Sequence, residues 1–177
     1  MSLNRVFTSL VKILFAAGDW TGLNEHIVLL SKKRGQLKQG IAKLVQEAMT
    51  LIDQTPDKAT KLALIETLRA VTEGKIFVEI ERARLTRLYS SILEADGKTA
   101  EAADVLQQLQ VETFGSMDKR EKTDFLLEQL RLLIAKNDFV RAQLVSNKIS
   151  TRYFEREETH VRSCFCCWEY VDECSMY

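Results

Sequence analysis

The stretch VTEGKIFVEIERARLT, residues 71–86, decides how this chain is read. It packs Glu79, Glu81, Arg82 and Arg84 between apolar residues. At about 100° per residue, Ile76, Ile80 and Ala83 fall on one helical stripe. Val78, Leu85, Leu88, Tyr89 and Ile92 fall on another. Two apolar stripes predict a helix packed on two sides, as inside a stack. The stretch holds no nucleophile, metal-ligand set or phosphate loop, so it reads as a surface that holds proteins together.

The same period continues on both sides. KLALIETLRAV (61–71) and TDFLLEQLRLLIAK (123–136) repeat apolar residues at helical spacing, and 177 residues contain one Pro and seven Gly. The expected class is all-α, with helices near 3–16, 20–32, 35–53, 57–72, 75–95, 99–110, 118–136 and 138–151. Thr55 before Pro56 predicts an N-cap followed by Pro at the first helical position, and Asp118 with Glu121 predicts a capping box.

The breaks recur at intervals. Aligning AGDWTGLNEHIVLL, TPDKATKLALIETL, ADGKTAEAADVLQQL and KNDFVRAQLVSNKI puts Asp19, Asp57, Gly97 and Asp138 in equivalent turns, spaced 38, 40 and 41 residues apart. Such a period predicts a right-handed solenoid of about four helical hairpins, similar to tetratricopeptide arrays, whose stacking supplies the core. Ala100, Ala102, Ala103, Val105 and Leu106 are small or apolar residues expected on the inner side of one hairpin.

Composition narrows the function classes. Apolar residues make up 46% of the chain, enough for a sizeable core, and 25 Lys plus Arg balance 25 Asp plus Glu. With no global field, nucleic acid and anionic membranes are not expected partners, and recognition must rest on local shape. The apolar run VFTSLVKILFAAG (6–18) is broken by Lys12 and too short to span a bilayer, so a soluble intracellular protein is expected.

No catalytic, cofactor or metal site is expected. His26 and His160 lack companions at a zinc-protease or catalytic spacing, and GKI at Gly74 lacks the rest of a phosphate loop. Glu79 and Glu81 lie about 160° apart on a helix, and they and Glu157 with Glu158 do not make a convergent acid and base pair. Pairing of the first two with Arg82 and Arg84 is the expected role. The run Lys32, Lys33, Arg34 and Lys38 has no interleaved aromatics and reads as a solvated turn. Phe15, Trp20, Phe77, Phe125 and Phe139 read as packing residues.

The first 163 residues contain no cysteine, whereas Cys164, Cys166, Cys167 and Cys174 crowd the end. Their C-x-C-C spacing lacks the two-residue loop with which paired thiolates grip zinc, so a zinc site is not expected, even with His160 nearby. Phe165, Trp168, Tyr170 and Val171 are expected to form a short amphipathic helix covering the end of the array.

Three ordered blocks carry a resemblance: LLSKKRGQLKQGIAKLVQ (29–46), VTEGKIFVEIERARLT (71–86) and LQVETFGSMDKREKTDFLLEQLRL (109–132). Together, over about residues 11–155, they resemble the family of non-ATPase regulatory subunit twelve, the fifth regulatory-particle non-ATPase subunit, of the 26S proteasome regulatory lid. The resemblance implies a non-catalytic scaffold in ubiquitin-dependent degradation, working in cytoplasm and nucleus as part of a hetero-oligomer with other lid subunits and the core particle. It also implies an N-terminal helical-repeat solenoid followed by a winged-helix PCI module. The expected domains are therefore a solenoid over 1–155 and a divergent Cys-rich tail over 156–177, with the PCI module absent, as in a fragment, a truncated product or a faulty gene model. A paralogous PCI subunit of the COP9 signalosome, or an independent peptide-binding adaptor, are the alternative readings.

Overall fold

The computed structural model describes residues 3–32 and 38–149. Among the described residues eight α-helices follow one another: α1 (Leu3–Ala17), α2 (Trp20–Lys32), α3 (Lys38–Leu51), α4 (Lys58–Thr72), α5 (Glu79–Ala95), α6 (Thr99–Gln107), α7 (Lys119–Ala135) and α8 (Phe139–Ser146). Three short 3-10 turns lie at Ile52–Gln54, Ile76–Val78 and Val111–Thr113, and no strand occurs among the described residues. The all-α class and the order of helices are those the periodicity predicts.

Two compact units make up the chain, Met1–Tyr89 and Ser90–Tyr177, so the boundary falls inside α5. In the first unit α1 packs on α3, α2 on α4, and α1 on α2. Contacts between alternate helices are what stacked hairpins make. Its core is built from Leu23, Ile27, Leu44, Ile52, Leu64 and Leu68, all fully buried. Each such side chain removed from water contributes about 1.5–3 kcal/mol before entropy is counted. In the second unit α7 packs against both α6 and α8, around Leu106, Phe125, Leu132 and Leu133. Ala102 and Ala103 are buried as expected of small residues between close helices, whereas Ala100 is exposed.

The hairpin turns explain the repeat. In the first, third and fourth hairpins the chain leaves a helix through one left-handed residue, at Gly18 (φ 69°), Gly97 (φ 76°) and Asn137 (φ 62°). Glycine adopts this conformation without steric cost, and Asn is among the few other residues that tolerate it. The hydrogen bonds are the same each time. Gly18, Gly97 and Asn137 donate their N–H to the carbonyls of Phe15, Glu94 and Ile134, and Asp19, Lys98 and Asp138 donate theirs to Leu14, Leu93 and Leu133. This double closure, six residues to one and five to two, is the Schellman motif, which satisfies carbonyls that the helix end leaves orphaned. Asp19 and Asp138 then turn to the next helix: their carboxylates accept from the N–H groups of Gly22 (2.9 Å) and Arg141 (3.2 Å). One residue thereby ends one helix and begins another.

The second hairpin departs from this pattern. After α3 the chain tightens into the 3-10 turn and stops at Thr55, which is extended (φ −70°, ψ 137°), as a residue before proline must be. The expected Thr55 N-cap is corrected: α4 begins at Lys58 with Asp57 at its N-cap, and Pro56 lies outside the helix. The Thr55 hydroxyl is otherwise engaged, donating to the Ile52 carbonyl at 2.8 Å. Asp57 caps by position alone, without a side-chain bond. Asp118 likewise stands at the N-cap of α7 but makes no side-chain cap bond.

Candidate interaction surface

α5 carries the residues of the opening stretch. Ala83, Leu85, Thr86, Ser90 and Leu93 are buried, and polar links leave the helix in several directions. Within the first unit, Gln46 of α3 donates to Glu81 at 2.8 Å and Tyr89 donates to Glu66 of α4 at 3.0 Å. Arg69 of α4 lies over the Tyr89 ring, 4.8 Å from its centroid, and burial pushes its guanidinium below the ordinary range. Within the second unit, Ser90 donates to the Ala102 carbonyl at 3.1 Å, and Arg131 of α7 grips Glu94 with two bonds of 2.6 Å. Hydrogen bonding from Arg131 holds the Glu94 carboxyl below its usual range, and the Arg131 guanidinium is raised in turn by Glu94 and Glu128.

The sequence expectation fails at the front of this helix. The sequence predicts packed positions for Ile76 and Phe77, yet Ile76 is 81% exposed and Phe77 is 36% exposed. The cause is Gly74, whose left-handed backbone (φ 69°) ends α4, so that residues 76–78 form a separate 3-10 turn and α5 begins only at Glu79. Only Val78 of this turn is buried. The glycine was the readable signal.

Charged residues are largely answered locally. Arg82 reaches Glu73 (3.5 Å), in the segment before α5, and Lys61 reaches Asp53 (3.4 Å). In the second unit Asp104 of α6 faces both Lys136 and Arg141, and Lys148 pairs with Glu112 at 2.6 Å. Exposed pairs of this kind contribute about 0–1 kcal/mol each, so they set register more than stability. A stronger polar tie is buried: the Gln129 side chain of α7 donates to the carbonyls of Leu106 (2.8 Å), in the last turn of α6, and Leu109 (3.1 Å), just past its end.

The chemical candidates remain apart. His26 is half-buried on α2, with Nδ1 2.7 Å from the Gly22 carbonyl one turn back. Among the described residues no three of His, Cys, Asp or Glu gather closely enough to hold a metal ion. None of the described helices is long and apolar enough to cross a membrane. Lys33, Arg34, Glu157, Glu158, His160, the four cysteines and the expected tail helix lie outside the described residues. Phe15 and Trp20 pack edge to face across the first turn (5.5 Å, 86°), and Phe125 is buried, as packing residues should be.

What the surface does offer is apolar. Ile76 and Phe77 project from the turn before α5, Ile13 and Leu29 from the first hairpin, and Val140 and Leu144 share one face of α8 at four-residue spacing. Large exposed aliphatic side chains suit contact with another protein rather than chemistry on a small molecule.

Comparison with known proteins bears on whose contact that is. The family described as PSMD12/CSN4, N-terminal, matches residues 1–165. The chain is 55% identical to 26S proteasome non-ATPase regulatory subunit 12 homolog A of Arabidopsis thaliana, over 85% of this chain and 34% of that protein. It is 55% identical to homolog B of the same plant, over 86% of this chain and 34% of that one. The protein named 26S proteasome non-ATPase regulatory subunit 12 in Dictyostelium discoideum is 47% identical, over 89% of this chain and 35% of its own length. The chain therefore spans about a third of the length of these relatives.

Proposed function

The chain belongs to the PSMD12/CSN4 N-terminal family, and from that premise we propose that it is a non-catalytic scaffold segment of the 26S proteasome regulatory lid. The observation that carries this reading is the 47–55% identity, over 85–89% of the chain, to proteins named as regulatory subunit 12 of the 26S proteasome. The geometry agrees with a role by contact. Its turns and buried helix ends hold helices in fixed register, and its exposed apolar residues sit on those helices and turns rather than in a pocket around reactive groups. Other lid subunits are the proposed partners, in cytoplasm and nucleus, with Ile76 and Phe77 as contact residues.

Affinity recovery of the tagged chain from cells tests this. Lid subunits are expected in the eluate, and fewer of them with the double variant Ile76→Asp, Phe77→Asp, whose exposed positions leave the fold intact. A folded chain that recovers no proteasome subunit would overturn the reading. The family's description also names CSN4, so recovery of cullin-deneddylating signalosome subunits instead would move the assignment to the COP9 branch.

A further inference from the structure

The one hairpin turn that abandons the Schellman closure carries the sequence Thr55, Pro56, Asp57, Lys58, and it contains the only proline of the chain. We propose that Thr55 is a phosphorylation site for a proline-directed protein kinase. The inference is independent of the assembly reading.

The residue pattern is chemically selective. A kinase whose pocket takes proline just after the acceptor discriminates by a missing donor, since any other residue would bring a backbone N–H into a place where nothing accepts it. Lys58, three residues after the hydroxyl, supplies the cation that one class of such kinases, those dependent on cyclins, reads in addition.

Backbone and exposure fit the requirement as well. Kinases bind acceptors in extended form, and here Thr55 (φ −70°, ψ 137°) and Asp57 (φ −123°, ψ 149°) are extended already. Proline imposes the first of these conformations. Residues 53, 54 and 56–59 are exposed and Thr55 is half-buried. The threonine is held by two bonds to one acceptor, its N–H at 3.5 Å and its hydroxyl at 2.8 Å from the Ile52 carbonyl. Presenting the hydroxyl requires breaking the second and fraying the first turn of α4, the part of a helix that opens most readily. Thr50, Thr67 and Thr86 also donate to backbone carbonyls, but they do so inside helices and none precedes proline.

The reaction balances simply. The Thr55 hydroxyl oxygen attacks the γ-phosphorus of ATP, forming an O–P bond as the bond from that phosphorus to the β,γ-bridging oxygen breaks. ADP leaves, and the hydroxyl proton passes to the kinase's catalytic carboxylate and on to solvent. The product no longer donates to Ile52. It places a charge of about −1.5 to −2 between Asp53 and Asp57, where it repels both and competes with Asp53 for Lys61.

The test uses the intact chain, a recombinant cyclin-dependent kinase with its cyclin, and ATP, with sites mapped by tandem mass spectrometry. Phosphate is expected at Thr55. Pro56→Ala is expected to slow its incorporation about tenfold or more, and Lys58→Ala severalfold, with helix content by circular dichroism unchanged. Failure of the kinase to modify the wild-type chain, modification only at other residues, or an undiminished rate in a folded Pro56→Ala variant would each overturn the proposal.

Discussion

The turn at Asn137 and Asp138 and the turn at Thr55 and Pro56 both reverse the chain between two helices, but they use different parts. The first closes on itself: a left-handed residue, two backbone bonds back to the helix it leaves, and a carboxylate that starts the helix it enters. The second stops because proline forbids the helix to continue, and its side chains cap nothing ahead of them. An evenly spaced repeat therefore does not require one turn chemistry. What recurs is the spacing of the reversals: the helices that follow them begin at Trp20, Lys58, Thr99 and Phe139, at intervals of 38, 41 and 40 residues, whichever device stops the helix before.

The largest loss is expected from removing a helix closure that is not local at all. Gln129→Leu deletes the side-chain donor to the Leu109 carbonyl and one of the donors to the Leu106 carbonyl, which keeps the Leu109 N–H at 3.3 Å, and is expected to cost about 2–3 kcal/mol, read as a lower urea midpoint. Next comes Gly97→Val. A Cβ at Gly97 meets nothing within 4 Å, so the loss, about 2 kcal/mol, measures the left-handed backbone rather than a clash.

A paired experiment sharpens the contrast between capped and uncapped starts. Asp138→Ala removes a carboxylate that accepts from Arg141 and is expected to cost about 1 kcal/mol, whereas Asp57→Ala, at a cap without such a bond, should cost clearly less. Equal losses would mean that the two turns differ in form only. Smallest is Pro56→Ala, at about 0.4–1 kcal/mol, because proline there acts mainly by limiting the unfolded chain.

The spacing of Asp19, Asp57, Gly97 and Asp138 made the hairpins legible, because helix length is written in the apolar period and its interruptions. The closures were only half legible. Gly18 and Gly97 announce a left-handed residue, whereas Asn137, a less frequent choice at such a position, fills the same place. Gln129 stands out as a polar residue on the buried face of α7, yet its acceptors lie 20 and 23 residues away, a pairing no local pattern records. The exposed turn at residues 76–78 escapes the sequence pattern for a related reason. Ile76 and Phe77 match a stripe in number and type, and only the backbone at Gly74 decides that they point to solvent.

Asp19 and Asp138, each shared between two helices, bear on how this family can vary in length. A joint in which the residue that finishes one helix also caps the next has no slack, and one inserted residue would rotate the following helix by about 100° and turn its apolar face out of the core. Insertions and deletions among relatives are therefore expected to collect between α6 and α7, where eleven residues, 108–118, separate the helices, and to avoid the joints at Asp19 and Asp138.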